Sequence, residues 1–130
     1  MTTKEIIHLK VYLEDTDAQG IIYHANYLKY FERGRSEFLA NFGYDMRDMQ
    51  NGEHRFVVHE MQLKYRNPGR LGDHLEVVST AQRSSEYRLS FDQKVRRRGE
   101  DQALVSAQVQ IVCVDPEGQL VELPESMNIS

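Results

Sequence analysis

The sequence predicts an α+β fold, an antiparallel sheet of about five strands packed against one long helix. Three observations lead there. Apolar residues alternate over residues 6–13 and in several runs beyond 56, the two-residue period of half-buried strands. Between 26 and 42 they recur at helical spacing instead. Beyond 66, short turn-forming clusters join one alternating run to the next, as in hairpins.

In the first run, Ile7, Leu9, Val11 and Leu13 fall on one side and His8, Lys10 and Tyr12 on the other. Residues 14–20 are acidic, turn-prone and end in glycine, so they form a loop. Tyr27, Tyr30, Phe31, Gly34, Phe38 and Phe42 make the apolar stripe of a helix, opposite Lys29, Glu32, Arg33 and Glu37. Such a helix would be about 25 Å long. Asn26 is a plausible N-cap, Ala25 and His24 being alternatives, and Gly43 is placed to end the helix. Gly34 lies on the stripe, where a missing side chain lets a helix approach a sheet closely. A short helix or loop near 45–54 precedes a strand over 56–66, with Val57, Met61, Leu63 and Tyr65 on one face. Turns at Asn67-Pro68-Gly69, 97–101 and Asp115-Pro116-Glu117-Gly118 separate the strands carrying Leu75 and Val77, Tyr87 to Val95, and the apolar run 102–114.

A chain of 130 residues has the length of one ordinary domain, 1–130. Sixteen basic and twenty acidic residues leave a net charge of −4, which argues against non-specific nucleic-acid binding. The single cysteine, Cys113, excludes an intramolecular disulfide and reads as a buried strand thiol. No apolar run approaches the roughly 20 residues that cross a bilayer, and the first residues lack a secretory apolar stretch, so the expected compartment is the cytoplasm. The five histidines form no His-Glu-x-x-His pattern, and neither a Gly-x-Ser-x-Gly elbow nor a phosphate-binding glycine loop is present.

The chemistry concentrates where the first strand hands over to the helix, from Asp15 to Tyr27. The start of a helix offers free backbone N–H groups and a positive dipole end, which can stabilise a developing oxyanion. A nearby carboxylate, Asp15 or Asp17, could attack a carbonyl or activate water. Gly20 would let backbone come close to a substrate, and Ile21 and Ile22 would exclude water. An isolated Asp-Thr-Asp is more often a pair of loop or capping acids, so the surrounding residues decide.

Those residues, E-D-T-D-A-Q-G-I-I-Y-H-A-N-Y-L-K-Y-F-E-R-G-R from Glu14 to Arg35, resemble the hot-dog family typified by 4-hydroxybenzoyl-CoA thioesterase. Within it they look most like the short acyl-CoA thioesterases associated with the bacterial Tol-Pal system. The likeness continues more thinly through Phe56-Val57-Val58, Tyr65 to Asp73, and Val112 to Pro116. It implies a sheet wrapped around a central helix and hydrolysis of an acyl-CoA thioester. The family's catalytic carboxylate falls on Asp17, its carbonyl-polarising backbone N–H on His24 and its turn glycine on Gly20, with Tyr23 in the same signature. The resemblance also implies homodimers with a continuous sheet, often paired into a homotetramer, with sites between subunits. It implies no metal and no redox cofactor, coenzyme A being part of the substrate.

Whether Asp17 attacks directly or acts as general base is open at this level. The His24 imidazole could orient substrate or water, or simply pack, and Tyr23 reads as a pocket wall. His59, beside Glu60 on a strand, could line the cleft. For the coenzyme A phosphates, Arg88 is the first candidate, with Arg66, Arg70, Arg83 and the run Lys94 to Arg98 behind it. Two other functions fit the same fold: a hydratase or dehydratase acting on acyl thioesters, and a non-catalytic acyl-CoA-binding module.

Overall fold

The computed structural model describes residues 4–127 and 129; the extreme N-terminus, 1–3, and residues 128 and 130 lie outside it. Strand β1 (Lys4–Lys10) leads through a short 3-10 turn (Leu13–Asp15) to helix α1 (Asn26–Asn41) and the single turn α2 (Asp48–Asn51). Strands β2 (Arg55–Tyr65), β3 (His74–Arg83), β4 (Arg88–Arg97) and β5 (Ala103–Val114) follow. All pair antiparallel in one sheet, in the order β1-β3-β4-β5-β2. Helix α1 lies across the inner face of β1, β3 and β4, giving the hot-dog arrangement. Among the described residues no helix is long and apolar enough to cross a membrane.

The expected helical stripe is the core. Tyr27, Tyr30, Phe31, Phe38 and Leu39 are buried against Val77, Leu89, Phe91, Val95 and Val109 of the sheet. Helix and sheet come close at Gly34, where a Cβ would stand 2.8 Å from Ser79 Oγ and 3.0 Å from Gln93 Nε2. Around that contact runs a buried polar network. The Gln93 amide donates to Phe31 O (2.9 Å) and Ser79 Oγ (2.9 Å), and its oxygen accepts from Arg35 Nη1 (3.0 Å). A buried amide engaged on both sides avoids the penalty of an unmade hydrogen bond and fixes the rotation of the helix on the sheet.

Three local expectations change. Strand β1 ends at Lys10 and Leu13 is 76% exposed: the 3-10 turn, closed by Tyr12 N–H on Asp15 Oδ2 at 2.8 Å, breaks the alternation before it reaches Leu13. Asn26 is the first helical residue rather than the cap, because its side chain is drawn to Asp15 instead. Val57 does not share a face with Met61. The register slips between Val58 and Glu60, so His59 is an extra residue in a β-bulge and the faces of β2 exchange there. Beyond β5, Leu123, Met127 and Ile129 are buried without any periodic pattern, and Leu123 N–H bonds Glu86 O at 2.9 Å.

Candidate active site

The segment that follows β1 is folded by its own short polar side chains. Asp17 N–H bonds Ile21 O (2.8 Å), and Gly20 N–H returns to Asp17 O (3.1 Å) with Gly20 at φ 78°. This is a three-residue hairpin loop, a turn closed by a glycine in the left-handed region, and it explains the glycine at 20. One carboxylate oxygen of Asp17 accepts Gln19 N–H at 2.8 Å, the usual way an aspartate opens such a turn. Its other oxygen has no hydrogen-bond partner among the described residues, and Asp17 is half-buried.

The hairpin is held on both sides. Ile22 N–H bonds Gly69 O (2.8 Å) and Leu71 N–H bonds Gly20 O (3.1 Å), so the Asn67–Asp73 turn forms its second edge. Gly69 fits closely there: a Cβ would lie 2.5 Å from Ile22 Cδ1 and 3.2 Å from the Tyr27 hydroxyl, so a larger residue would make the Ile22 side chain move. That hydroxyl accepts Gly69 N–H at 3.1 Å, and burial raises its pKa. On the other side Asp15 anchors the hairpin to α1. Its carboxylate accepts Tyr12 N–H (2.8 Å) and Asn26 Nδ2 (2.9 Å), and its carbonyl accepts Tyr23 N–H (2.9 Å). Burial, reinforced by the Asp15 charge, pushes the nearby Tyr30 phenol up to about 12.

Helix α1 begins without a side-chain cap and without an acid in its first turn. Among the described residues the N–H groups of His24 and Ala25 have no acceptor. Beside this mouth opens a cleft of about 360 Å³, lined by Ile21, Ile22, His24, Tyr27, Tyr65 and Arg66 together with Asn67 and Pro68. Tyr65 donates to His24 O at 2.9 Å, which ties the end of β2 to the helix entrance. Its ring stands edge-on to Tyr27, centroids 5.8 Å apart. The apolar walls suit an acyl group, and open N–H donors suit an oxygen that gains charge.

The residues singled out from the sequence separate into two groups. Asp17, Gly20, Tyr23 and His24 sit together on the hairpin and the helix mouth, though only His24 lines the cleft itself. Tyr23 is half exposed and stacks at 4.6 Å on the His24 ring. His59 and Arg88 are elsewhere in the same chain. His59 is exposed at the β2 bulge, about 20 Å along the strand from Tyr65. Arg88 opens β4 opposite Val112, about 23 Å along β5 from the Tyr65 end, and its Nε is buried without a partner. Sequence reasoning missed Tyr65 and Asn26 as site residues and gave Asp15 no definite part. The spacing of Asp15 from Asn26 carries no periodic signal, and Tyr65 reaches His24 only through the fold.

A five-stranded antiparallel sheet wrapped on one long helix places the chain in the class of hot-dog proteins. Residues 11–129 match the thioesterase-like superfamily, and the chain belongs to it. It is 37% identical over 108 residues to the acyl-CoA thioester hydrolase YbgC of Escherichia coli O6:H1, spanning 83% of this chain and 80% of that one. The acyl-CoA thioesterase YbgC of Haemophilus influenzae is 33% identical, over 82% of this chain and 78% of its own. The crystal structure of a probable thioesterase from Bartonella henselae superposes with a TM-score of 0.86 at 32% identity, covering 94% of this chain and all of that one.

Proposed function

We propose that the protein is an acyl-CoA thioester hydrolase in which Asp17 drives the reaction and the mouth of α1 stabilises the oxyanion. One observation carries this reading. Among the described residues Asp17 keeps one carboxylate oxygen unengaged, on a hydrogen-bonded hairpin that runs directly into the apolar wall Ile21–Ile22 and the uncapped helix start. A thioester in the cleft would turn its carbonyl oxygen to the His24 N–H, where the helix dipole favours negative charge. Asp17 then has two balanced uses. It can attack the carbonyl carbon, expel the coenzyme A thiolate and leave a mixed anhydride for water to open. Alternatively it takes a proton from a water molecule that attacks in its place. Both routes break the C–S bond and yield a free acid and a thiol, with no metal or redox cofactor in any step. Gly20 keeps the hairpin tight, and Tyr23 flanks the entrance. The acyl-CoA thioester hydrolase of E. coli and the acyl-CoA thioesterase of H. influenzae support acyl-CoA as the substrate class, and a coenzyme A substrate fits the cytoplasm as the compartment.

The same reading includes a second copy of the chain. Strand β2 is an eleven-residue sheet edge whose Val57 and Val58 are 47% and 45% exposed, and the unpaired backbone of a sheet edge is a template for strand pairing. Antiparallel pairing of two β2 strands about a two-fold axis at mid-strand would bring the Arg55 end of one to the Tyr65 end of the other. His59 and Arg88 of each chain would thereby approach the partner's cleft, which neither reaches in its own chain. The homodimer, or a dimer of dimers built from it, would then carry its sites between subunits.

Thiol release from short, long and aromatic acyl-CoAs, compared between wild type and Asp17→Asn, tests the reading. Turnover by the wild type with a loss of about a thousandfold in the variant is expected. Undiminished turnover in the variant would remove Asp17 from the reaction. A single turnover in H₂¹⁸O tests direct attack: label in the Asp17 carboxylate requires an anhydride opened by water at the aspartyl carbon, whereas general-base catalysis labels only the product acid.

A further inference from the structure

The outer face of the sheet, turned away from α1, carries a second concavity of about 540 Å³. Its residues come from all five strands through the register of the sheet. Lys64, Ser106 and Lys94 form one cross-strand row that continues to Val78, and Lys4, Thr80 and Asp92 form the next. Two strand spacings put Lys64 and Lys94 about 10 Å apart on either side of the Ser106 hydroxyl. Arg66 lines this groove and also the cleft at the helix mouth, so the two concavities meet at the end of β2.

The charge of the groove is at odds with the rest of the molecule. The chain carries a net charge of −4, yet four cations, Lys4, Lys64, Arg66 and Lys94, face a single carboxylate here. That carboxylate, Asp92, accepts Gln108 Nε2 at 2.7 Å. None of the four cations makes an ion pair or side-chain hydrogen bond among the described residues. Arg96 and Arg97 on the same strand are paired with Glu76 and Asp73. Unpaired cations around hydroxyl groups and the apolar Val78 floor suit a ligand bearing several phosphates and one flat apolar ring system. A second copy stacked on this face about a two-fold through the groove would set these cations against their own images, which charge repulsion opposes.

We propose that this groove holds the phosphorylated adenosine end of the coenzyme A substrate, reached from the cleft past Arg66. The proposal rests on the hydrolase reading above and moves the phosphate contacts from Arg88 to Lys64, Lys94 and Lys4. The pantetheine arm crosses the end of β2, the thioester stays at the helix mouth, and the phosphates lie between Lys64 and Lys94 with Ser106 as a donor.

The test compares one acyl group carried on coenzyme A with the same group on pantetheine, which lacks the nucleotide. For Lys64→Glu and Lys94→Glu the KM for acyl-CoA should rise about tenfold or more at little changed kcat, each charge-assisted contact being of that order. Turnover of acyl-pantetheine should not change. Adenosine 3′,5′-bisphosphate should bind the wild type by calorimetry and not the double variant. Equal losses on both substrates, or an unchanged KM for acyl-CoA, would overturn the proposal, as would a change of oligomeric state on sedimentation. If the glutamate variants melt early, Lys64→Gln and Lys94→Gln give the same readout at smaller amplitude. If the wild type hydrolyses neither substrate, the hydrolase reading fails, while the bisphosphate titration still decides the groove.

Discussion

The two ends of helix α1 are finished in opposite ways. At the C-terminal end Gly43, at φ 82°, sends its N–H to Ala40 O (3.0 Å), and Tyr44 sends its own to Leu39 O (3.0 Å). That pair of bonds is the Schellman closure, and it satisfies carbonyls the helix would otherwise leave open. Apolar packing seals the same end. Tyr44 stacks edge-on to Phe56 at 4.7 Å, and Cys113, Leu123 and Met127 are buried nearby on β5 and the tail. At the N-terminal end there is no side-chain cap, no acid in the first turn, and a cleft instead of a seal. One helix thus contributes stability at one end and leaves donors available for chemistry at the other. Mutations at the two ends should therefore separate activity from stability.

The largest separation is expected at Asp17. Asp17→Asn keeps the shape of the turn and the Gln19 N–H contact but removes the charge. A loss of about a thousandfold in kcat corresponds to about 4 kcal/mol of transition-state stabilisation. Thermal unfolding should move little, because Asp17 is half-buried and its second oxygen holds nothing in place. A variant that melts much earlier would mean that Asp17 is a structural capping acid.

The sealed end should reveal itself in alkali. Burial pushes the Cys113 thiol from 9.0 up to about 11. A group that is neutral when protonated, with its folded pKa raised, contributes full stability below its unfolded pKa. That contribution is lost as pH rises from about 9 to 11, because the unfolded chain releases the proton first. Denaturant titrations should lose about 2–3 kcal/mol across that window, and Cys113→Val should flatten the slope there. The Tyr30 phenol, raised to about 12, would carry the decline further above pH 10 in both proteins. An unchanged alkaline slope in the valine variant would mean that water reaches this end.

Gly43→Ala addresses the closure itself. A Cβ there meets no atom within 4 Å, so the only penalty is the left-handed backbone, about 1–2 kcal/mol. Melting should fall accordingly, with kcat and KM unchanged. A fall in kcat would show that the two ends are not independent.

How much of this was written in the sequence follows from the range of the interactions. The stripe from Tyr27 to Phe38, the close contact at Gly34 and the stop at Gly43 are local signals, and the fold uses each of them. The bulge at His59 is a one-residue event that alternation cannot register, and it misassigned the face of Val57. The Gln93 bridge between Arg35 and Ser79 joins residues 58 and 14 positions apart, so only the folded sheet brings them together. The site divides on the same line. The turn from Asp17 to Gly20 closes on itself, and its place in a loop ending in glycine was legible, though not its hairpin pairing; Tyr65 reaches His24 across 41 positions and was not.

The smallest expected effect tests the open end most directly. Ala25 stands at the start of α1 and is half-buried, so Ala25→Asp would place a negative charge against the uncapped N–H groups. An acid in that position usually stabilises a helix by about 0.3–1 kcal/mol through the dipole. In the proposed mechanism the same charge would occupy the region where the thioester oxyanion forms and oppose its build-up. Melting temperature should rise slightly while kcat falls, because the new carboxylate takes up a donor and repels the forming oxyanion. A mutation that stabilises the fold and slows the reaction is the result expected if the missing cap is functional. If Ala25→Asp stabilises the protein and leaves kcat intact, the donors at the helix mouth take no part in catalysis.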